Sequence, residues 1–323
     1  MQLKRIYAWL FTFCLAIYTV YALLDTFVIT RVYAAVEQET EAQIATQMEM
    51  PGTTAASVKK GRGSGRQSDR TEKTDTGMSS AGKTEAESSY KSDGIQILLS
   101  EYREYDSAIY VADIQLSDPD ALKTAFARNS YGRNVTAATS DTAEAVGAVL
   151  AVNGDNYGSR QKGYVIRNGV LYRDTAAKDQ EDLAIYADGR FEIINESEIT
   201  AQELLENGAV QVFSFGPGLI EDGTITVDLE DEVDRARASN PRTAIGIIEE
   251  GHYVLVVSDG RTDESEGLTL YELAEFMKEL GVQTAYNLDG GGSSTMVFQG
   301  TVVNETTNGR NDGERAVTDI IYF

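Results

Sequence analysis

Three times in this chain, two apolar runs are separated by a few residues suited to a tight turn. "GYVIRNGVLY" (Gly163 to Tyr172) folds back at Asn168-Gly169, and "LAIYADGRFEII" (Leu183 to Ile194) at Asp188-Gly189. "RTAIGIIEEGHYVLVVSDG" (Arg242 to Gly260) turns at Glu249 to Gly251. Asn-Gly and Asp-Gly supply the positive φ that two-residue hairpin turns require, and a hairpin makes its strands antiparallel neighbours. Further strands are expected at Ser107 to Leu116, which alternates apolar and polar residues, and at the buried run "AVGAVLAVNG" (Ala145 to Gly154). Others are expected at "AVQVFSFGPGLI", which breaks at a Gly-Pro loop, at Thr284 to Leu288, at Ser294 to Phe298 and at the closing "AVTDIIYF".

Helices are fewer. "DPDALKTAFA" predicts a short one from Asp118 with Pro119 at its first position. "ITAQELLENG" is capped by Thr200 and stopped by Gly208. "LTLYELAEFMKELG" has Thr269 and Glu272 at capping-box spacing, an apolar stripe of Leu270, Leu273, Phe276, Met277 and Leu280, and Gly281 at its end. The expected fold class is α+β, with mixed, largely antiparallel sheets and flanking helices, preceded by one transmembrane helix and a disordered stalk.

Residues 1–34 carry the membrane expectation. Lys4 and Arg5 precede a run from Ile6 to Thr30 whose only charge is Asp25. That run is longer than the roughly 30 Å a bilayer core needs and longer than a signal-peptide core, so it reads as a signal anchor; "VYA" (Val32 to Ala34) leaves processing open. The basic front places the N-terminus inside and the remainder outside the cell. Residues 35–90 are rich in Ser, Thr, Gly and alternating charge and read as a disordered stalk, with a short helix at Glu37 to Met48. Structure is expected to resume near Ile95, in a domain spanning residues 91–323.

From Lys91 onward there are 18 basic and 41 acidic side chains, out of a formal net charge of -23 for the chain. Such a surface repels nucleic acid and admits neutral sugars and cations. Cys14 is the only cysteine, so no disulfide framework exists, as is commoner in bacterial exported domains than in animal ones. His252 is the only histidine; it sits at a hairpin turn, reads as solvated, and makes a Ser-His-Asp triad implausible. No Cys/His zinc set and no "DxDxDG" calcium loop occurs, although clustered acids could hold a divalent cation. No cofactor is assigned.

Several strands end in polar clusters: "NGDNYG" (Asn153 to Gly158), "NPRTAIG" (Asn240 to Gly246), "SDGRT" (Ser258 to Thr262) and "NLDGGGSS" (Asn287 to Ser294). A rigid sheet aims such side chains. Asp289 follows an apolar strand, and the amides of Gly290, Gly291 and Gly292 are placed to bond its carboxylate. Bare backbone there could also approach a sugar or phosphate closely. Ser293 and Ser294 add hydroxyls. Arg242 heads a strand and either pairs with a buried acid or binds a phosphate bidentately. Asp259, Arg261, Asn153 and Asp155 read equally well as turn residues or as site residues.

Taken together, "NPRTAIG", "YVLVVSDGRTDESEGLTLYELAEFMKELGV" and "NLDGGGSSTMVFQGTVVN" resemble the phosphodiester glycosidase family, and "AVLAVNGDNYG" and "RAVTDIIYF" do so more loosely. The resemblance covers roughly Ile95 to Phe323. It implies hydrolysis of a sugar-1-phosphodiester, such as a GlcNAc-1-phosphodiester, with release of sugar and phosphomonoester; with the anchor and stalk, the expected substrate lies in cell-envelope or exopolysaccharide glycans. It also implies a site of Asn153, Asp155, Arg242, Asp259, Arg261, Asp289, Gly290, Gly291, Gly292, Ser293 and Ser294. Asp289, Asp155 and Asp259 are the candidate acids and nucleophile, and Arg242 with Arg261 the candidate phosphate ligands. One departure matters: the animal members carry a histidine where this chain has Val257. Two rival readings are a non-catalytic glycan-binding or assembly module and a metal-dependent phosphodiesterase.

Overall fold

The computed structural model describes residues 2–35, 83–228, 239–308 and 311–323. In chain order it opens with α1 (Gln2–Phe27), β1 (Arg31–Ala35), β2 (Lys83–Ser92), β3 (Ile95–Glu104) and β4 (Ser107–Leu116). There follow β5 (Lys123–Phe126), β6 (Ser130–Arg133), α2 (Thr139–Val146), β7 (Leu150–Asn153), β8 (Val165–Arg167) and β9 (Val170–Arg173). Next come β10 (Glu181–Tyr186), β11 (Phe191–Asn195), α3 (Ala201–Glu206), β12 (Ala209–Phe213), β13 (Gly218–Glu221) and β14 (Thr224–Ile225). The last part holds β15 (Arg242–Glu249), β16 (His252–Ser258), α4 (Leu270–Glu279), β17 (Thr284–Asn287) and β18 (Met296–Phe298). The chain closes with β19 (Thr301–Val302), β20 (Thr307–Asn308), β21 (Asn311–Asp312) and β22 (Asp319–Tyr322).

The largest sheet has eight strands in the order β14-β13-β17-β15-β16-β4-β3-β2; two five-stranded sheets run β19-β18-β7-β22-β5 and β11-β10-β12-β8-β9. Every ladder among the described residues is antiparallel. The three expected hairpins form at their expected turns, with Asn168 and Gly169 both at positive φ.

The core lies on both faces of the eight-stranded sheet. On β16, Tyr253, Leu255 and Val257 face the five-stranded sheets, while Val254 and Val256 face α4. A strand buried on both faces reads as the continuous apolar run seen in the sequence. The α4 stripe of Leu270, Leu273, Phe276 and Met277 is buried in the second cluster, and both reciprocal hydrogen bonds of the Thr269–Glu272 capping box are present. The Thr200–Glu203 box starts α3 in the same way.

Five expectations are corrected. Pro119 opens only a single 3₁₀ turn, Pro119–Ala121, and the following residues form β5 instead of continuing a helix. Ala145 and Val146 end α2, so the buried strand is only Leu150–Asn153. Ser294 closes a 3₁₀ turn and the strand after it begins at Met296. His252 begins β16 and its Nε2 lies 2.9 Å from Asp113 Oδ1, a hydrogen bond that raises its pKa. A strand, β2, begins at Lys83, ahead of the expected Ile95, and pairs with β3 along its length. The stalk and its short helix otherwise lie outside the described residues.

The window Trp9–Thr26 within α1 is long and apolar enough to cross a membrane, and none of it is buried against the rest of the protein. Immediately beyond it, β1 pairs with β6 through Arg31↔Arg133 and Ala35↔Ser130.

Candidate active site

The sheet register brings the polar strand ends together. Ala244 pairs with Asn287, and Ser258 with Arg242, so β17, β15 and β16 deliver Asp289, Arg242 and Asp259 to the same end of the large sheet. From the smaller sheet, the Gly154 carbonyl accepts a bond from Asp289 N at 3.3 Å.

Asp289 is 6% exposed. Its Oδ2 accepts from Ser293 Oγ at 2.7 Å and from Arg315 Nη2 at 2.7 Å. Arg315 Nε also donates to Ser293 Oγ at 2.8 Å, its Nη2 to the Gly290 carbonyl at 3.1 Å, and its backbone N to the Gly292 carbonyl at 3.0 Å. The anion is thus held by a hydroxyl and a guanidinium. The expected glycine amides play no such part; Gly291 N donates instead to the Pro241 carbonyl at 2.8 Å.

Two of the three glycines are explained by close approach. A Cβ on Gly290 would sit 2.8 Å from the Pro241 carbonyl oxygen, closer than real contacts allow. Gly291 has φ +64, and a Cβ there would meet Arg261 Nη2 at 3.1 Å. Arg261 therefore lies over the bare turn, with Nε and Nη2 held by Asn240 Oδ1 at 3.0 and 2.7 Å. Arg261 is exposed and Arg315 half-exposed, so both guanidinium groups are open to a ligand.

Asp259 is 2% exposed. Its Oδ1 accepts from Glu305 N at 2.9 Å and from Asn304 Nδ2 at 3.3 Å, and Tyr110 bonds the same carboxyl group. Burial outweighs these donors and pushes its pKa from an ordinary 3.8 to about 6. Asn304 Nδ2 also donates to the Ser294 carbonyl at 3.1 Å, which ties Asp259 to the glycine turn.

The remaining expected residues act behind this surface. Asn153 is fully buried: Nδ2 donates to the Asp289 carbonyl at 2.6 Å, and Oδ1 accepts from Thr243 Oγ1 at 2.8 Å. Asp155 has no exposed surface either. Its oxygens are taken by Arg167 Nη2 at 2.9 Å, Tyr157 N at 3.1 Å and Ser214 N at 2.8 Å, so the nucleophile or base role expected for it has no access to a substrate. Arg242 is buried and its Nε donates to the Leu268 carbonyl at 2.8 Å. Ser294 Oγ is buried without a hydrogen-bond partner among the described residues. Val257 is in the main core, so no titratable group stands at that place.

Sequence reasoning missed Arg315, Asn304 and Tyr110. Arg315 follows Asp289 by 26 residues in a segment with no periodic signal.

A family model described as "Phosphodiester glycosidase" matches residues 146–323, more than half of the chain. The chain belongs to the phosphodiester glycosidase family. Among curated relatives, the mouse N-acetylglucosamine-1-phosphodiester alpha-N-acetylglucosaminidase is 32% identical over 183 residues, covering 51% of this chain and 35% of that protein. The SPbeta prophage-derived uncharacterized protein YomE of Bacillus subtilis is 32% identical over 180 residues, covering 54% of this chain and 27% of that protein. The chain therefore spans about a quarter to a third of the length of these relatives. In fold it is similar to the zebrafish N-acetylglucosamine-1-phosphodiester alpha-N-acetylglucosaminidase catalytic domain auto-inhibited by its pro-peptide. The TM-score is 0.55 at 23% identity, over 75% of this chain and 88% of that one. A hypothetical protein from Synechocystis gives a TM-score of 0.57 at 14% identity, over 74% of this chain and 64% of that one.

Proposed function

We propose that this phosphodiester glycosidase hydrolyses a sugar-1-phosphodiester of the GlcNAc-1-phosphate type, in cell-envelope or exopolysaccharide glycans of a bacterium. The observation that carries the reading is a carboxylate, Asp289, held by the accessible guanidinium of Arg315, with a second accessible guanidinium, Arg261, against the glycine turn that follows it. Arg315 and Arg261 bind the phosphate, where fork geometry matches its oxygens. This moves the phosphate role from Arg242, whose Nε is committed to a backbone carbonyl, to its two more exposed neighbours. Asp289 faces the anomeric carbon as nucleophile or base. Asp259 is the second carboxyl; it is only 2% exposed and is joined to the glycine turn through Asn304, and burial holds its pKa up at about 6. Water supplies the oxygen that ends on the sugar; the C–O bond breaks and the phosphomonoester leaves. A phosphate leaving group needs little proton assistance, which fits a site without histidine.

α1 supplies a membrane anchor, and Lys4 and Arg5 at its start orient the domain outward. The test is release of GlcNAc from a GlcNAc-1-phosphodiester by the full chain. Asp289→Asn is expected to lower kcat by roughly 10²–10⁴-fold, the range for loss of an acid–base group. Arg315→Gln is expected to raise KM and lower kcat. Unchanged kcat/KM in both variants, with the fold intact, would reject the assignment. Saturable binding with no sugar released by the unaltered chain would favour the non-catalytic glycan-binding reading, which the buried Val257 in place of a histidine allows.

A further inference from the structure

A cavity of about 350 Å³ opens where β1 lies on β6, and Arg31, Arg133, Arg160 and Arg173 line it with Tyr33 and Tyr131. Four guanidinium groups in one cleft are unexpected in a chain with a formal charge of -23. Among the described residues their neutralisation is incomplete. Among the described residues, Arg31 and Arg133 share one carboxylate, Asp25; the Arg133 Nη1 to Asp25 Oδ2 distance is 3.9 Å. Arg160 and Arg173 meet no carboxylate among the described residues. Arg160 Nη1 donates to the Ser214 carbonyl at 3.0 Å, and its guanidinium lies 4.9 Å from the centre of the Phe215 ring. Arg173 donates to the carbonyls of Gly163, Tyr157 and Arg160 at 2.5, 3.0 and 2.8 Å. Its Nη2 is buried and has no hydrogen-bond partner among the described residues.

Like charges gathered in one cleft repel one another unless an anion joins them. The donors are planar forks, which suit the paired oxygens of a phosphate. The aromatic wall is preformed, with Tyr131 stacked on Tyr157 at 5.1 Å and Tyr33 5.9 Å from Tyr131. The cleft also has a fixed position relative to α1. Arg133 Nη2 donates to the Thr26 carbonyl at 3.4 Å, and Asn134 Nδ2 to the Ile29 carbonyl at 3.0 Å, both at the end of the apolar window. That is the height at which lipid phosphates lie when such a helix spans a bilayer.

We propose that this cleft is a phosphate-binding site, separate from the glycosidase site, taking either the phosphate of an anionic lipid headgroup or free phosphate. The test uses the full chain in lipid-stripped nonionic micelles. Inorganic phosphate is titrated against chloride at equal ionic strength and followed by thermal shift. In parallel, retention of phosphatidylglycerol is compared with that of diacylglycerol, which lacks the phosphate, by native mass spectrometry. Saturable stabilisation by phosphate, preferential retention of phosphatidylglycerol, or both is expected, weakened about tenfold or more by R160Q/R173Q. Arg160 is exposed, so R160Q alone provides a variant that does not disturb the carbonyls held by Arg173. Retention of phosphatidylglycerol without a response to inorganic phosphate identifies the headgroup as the source; a response to inorganic phosphate with no lipid preference identifies free phosphate. No saturable binding of either probe, or equal binding by the unaltered chain and R160Q/R173Q, overturns the proposal.

Discussion

Asp259 couples its acidity to folding. Its folded pKa of about 6 lies above the ordinary 3.8, so the folded protein holds a proton that the unfolded chain releases between those values. The stabilisation is therefore complete below about pH 3.8 and is lost as pH rises through about 6, a change on the order of 2–3 kcal/mol. Asp259→Asn should flatten that slope in Tm measured from pH 4 to 7, and a slope identical to that of the unaltered chain would contradict the burial argument. At this scale the sequence was informative where neighbours in space are neighbours in the chain. Asp289 and Ser293, joined by a hydrogen bond across four residues, could be picked out from a single short motif. Arg315 and Asn304 could not, because β22 and the turns before it must first be placed. Asp155 stood out as a polar strand end, yet only the sheet packing reveals that Arg167 seals it.

Elements with self-contained signals were legible. Turn dipeptides fixed the hairpins, and the Thr269–Glu272 pair fixed the start of α4. Thr269→Ala should lower stability by about 1 kcal/mol through loss of the cap. Leu273→Ala, emptying a fully buried position in the second cluster, should cost about 2–5 kcal/mol, both measured by urea unfolding. Elements decided by their partners were not legible. "KTEAESSYKS" has no strand alternation and becomes β2 because the edge of β3 offers it a ladder. Ala145 and Val146 join an apolar run that suits a buried strand or a helix equally well; Gly147 in the left-handed conformation ends the helix there. His252 lies six residues from Ser258 along β16, roughly 20 Å at strand rise, which removes it from the site's chemistry.

For the molecule as a whole, one buried cluster joins two sheets. Arg167 on β8 reaches Asp155 after β7 at 2.9 Å and Asp319 on β22 at 2.8 Å. Burial raises the Asp319 pKa above the ordinary carboxylate range even with the guanidinium beside it. Arg167→Ala leaves two buried carboxylates uncompensated and should destabilise by about 3–5 kcal/mol at neutral pH, with part of the loss recovered in acid, as followed by thermal unfolding. No sequence signal announces this bridge, since its members come from three separated segments. The order of the eight-stranded sheet was likewise unreadable, because it interleaves β13, β17 and β15 from distant stretches. The short ladder between β1 and β6 has a consequence for the long polar stretch that follows it. Because β1 pairs with β6 and β2 with β3, the chain is joined to the domain at Arg31–Ala35, directly after α1, and again at Lys83–Ser92. If α1 spans a membrane as proposed, changing the number of residues between 35 and 83 would leave the domain at the same height above the bilayer, because the strand pairing after α1 sets that height.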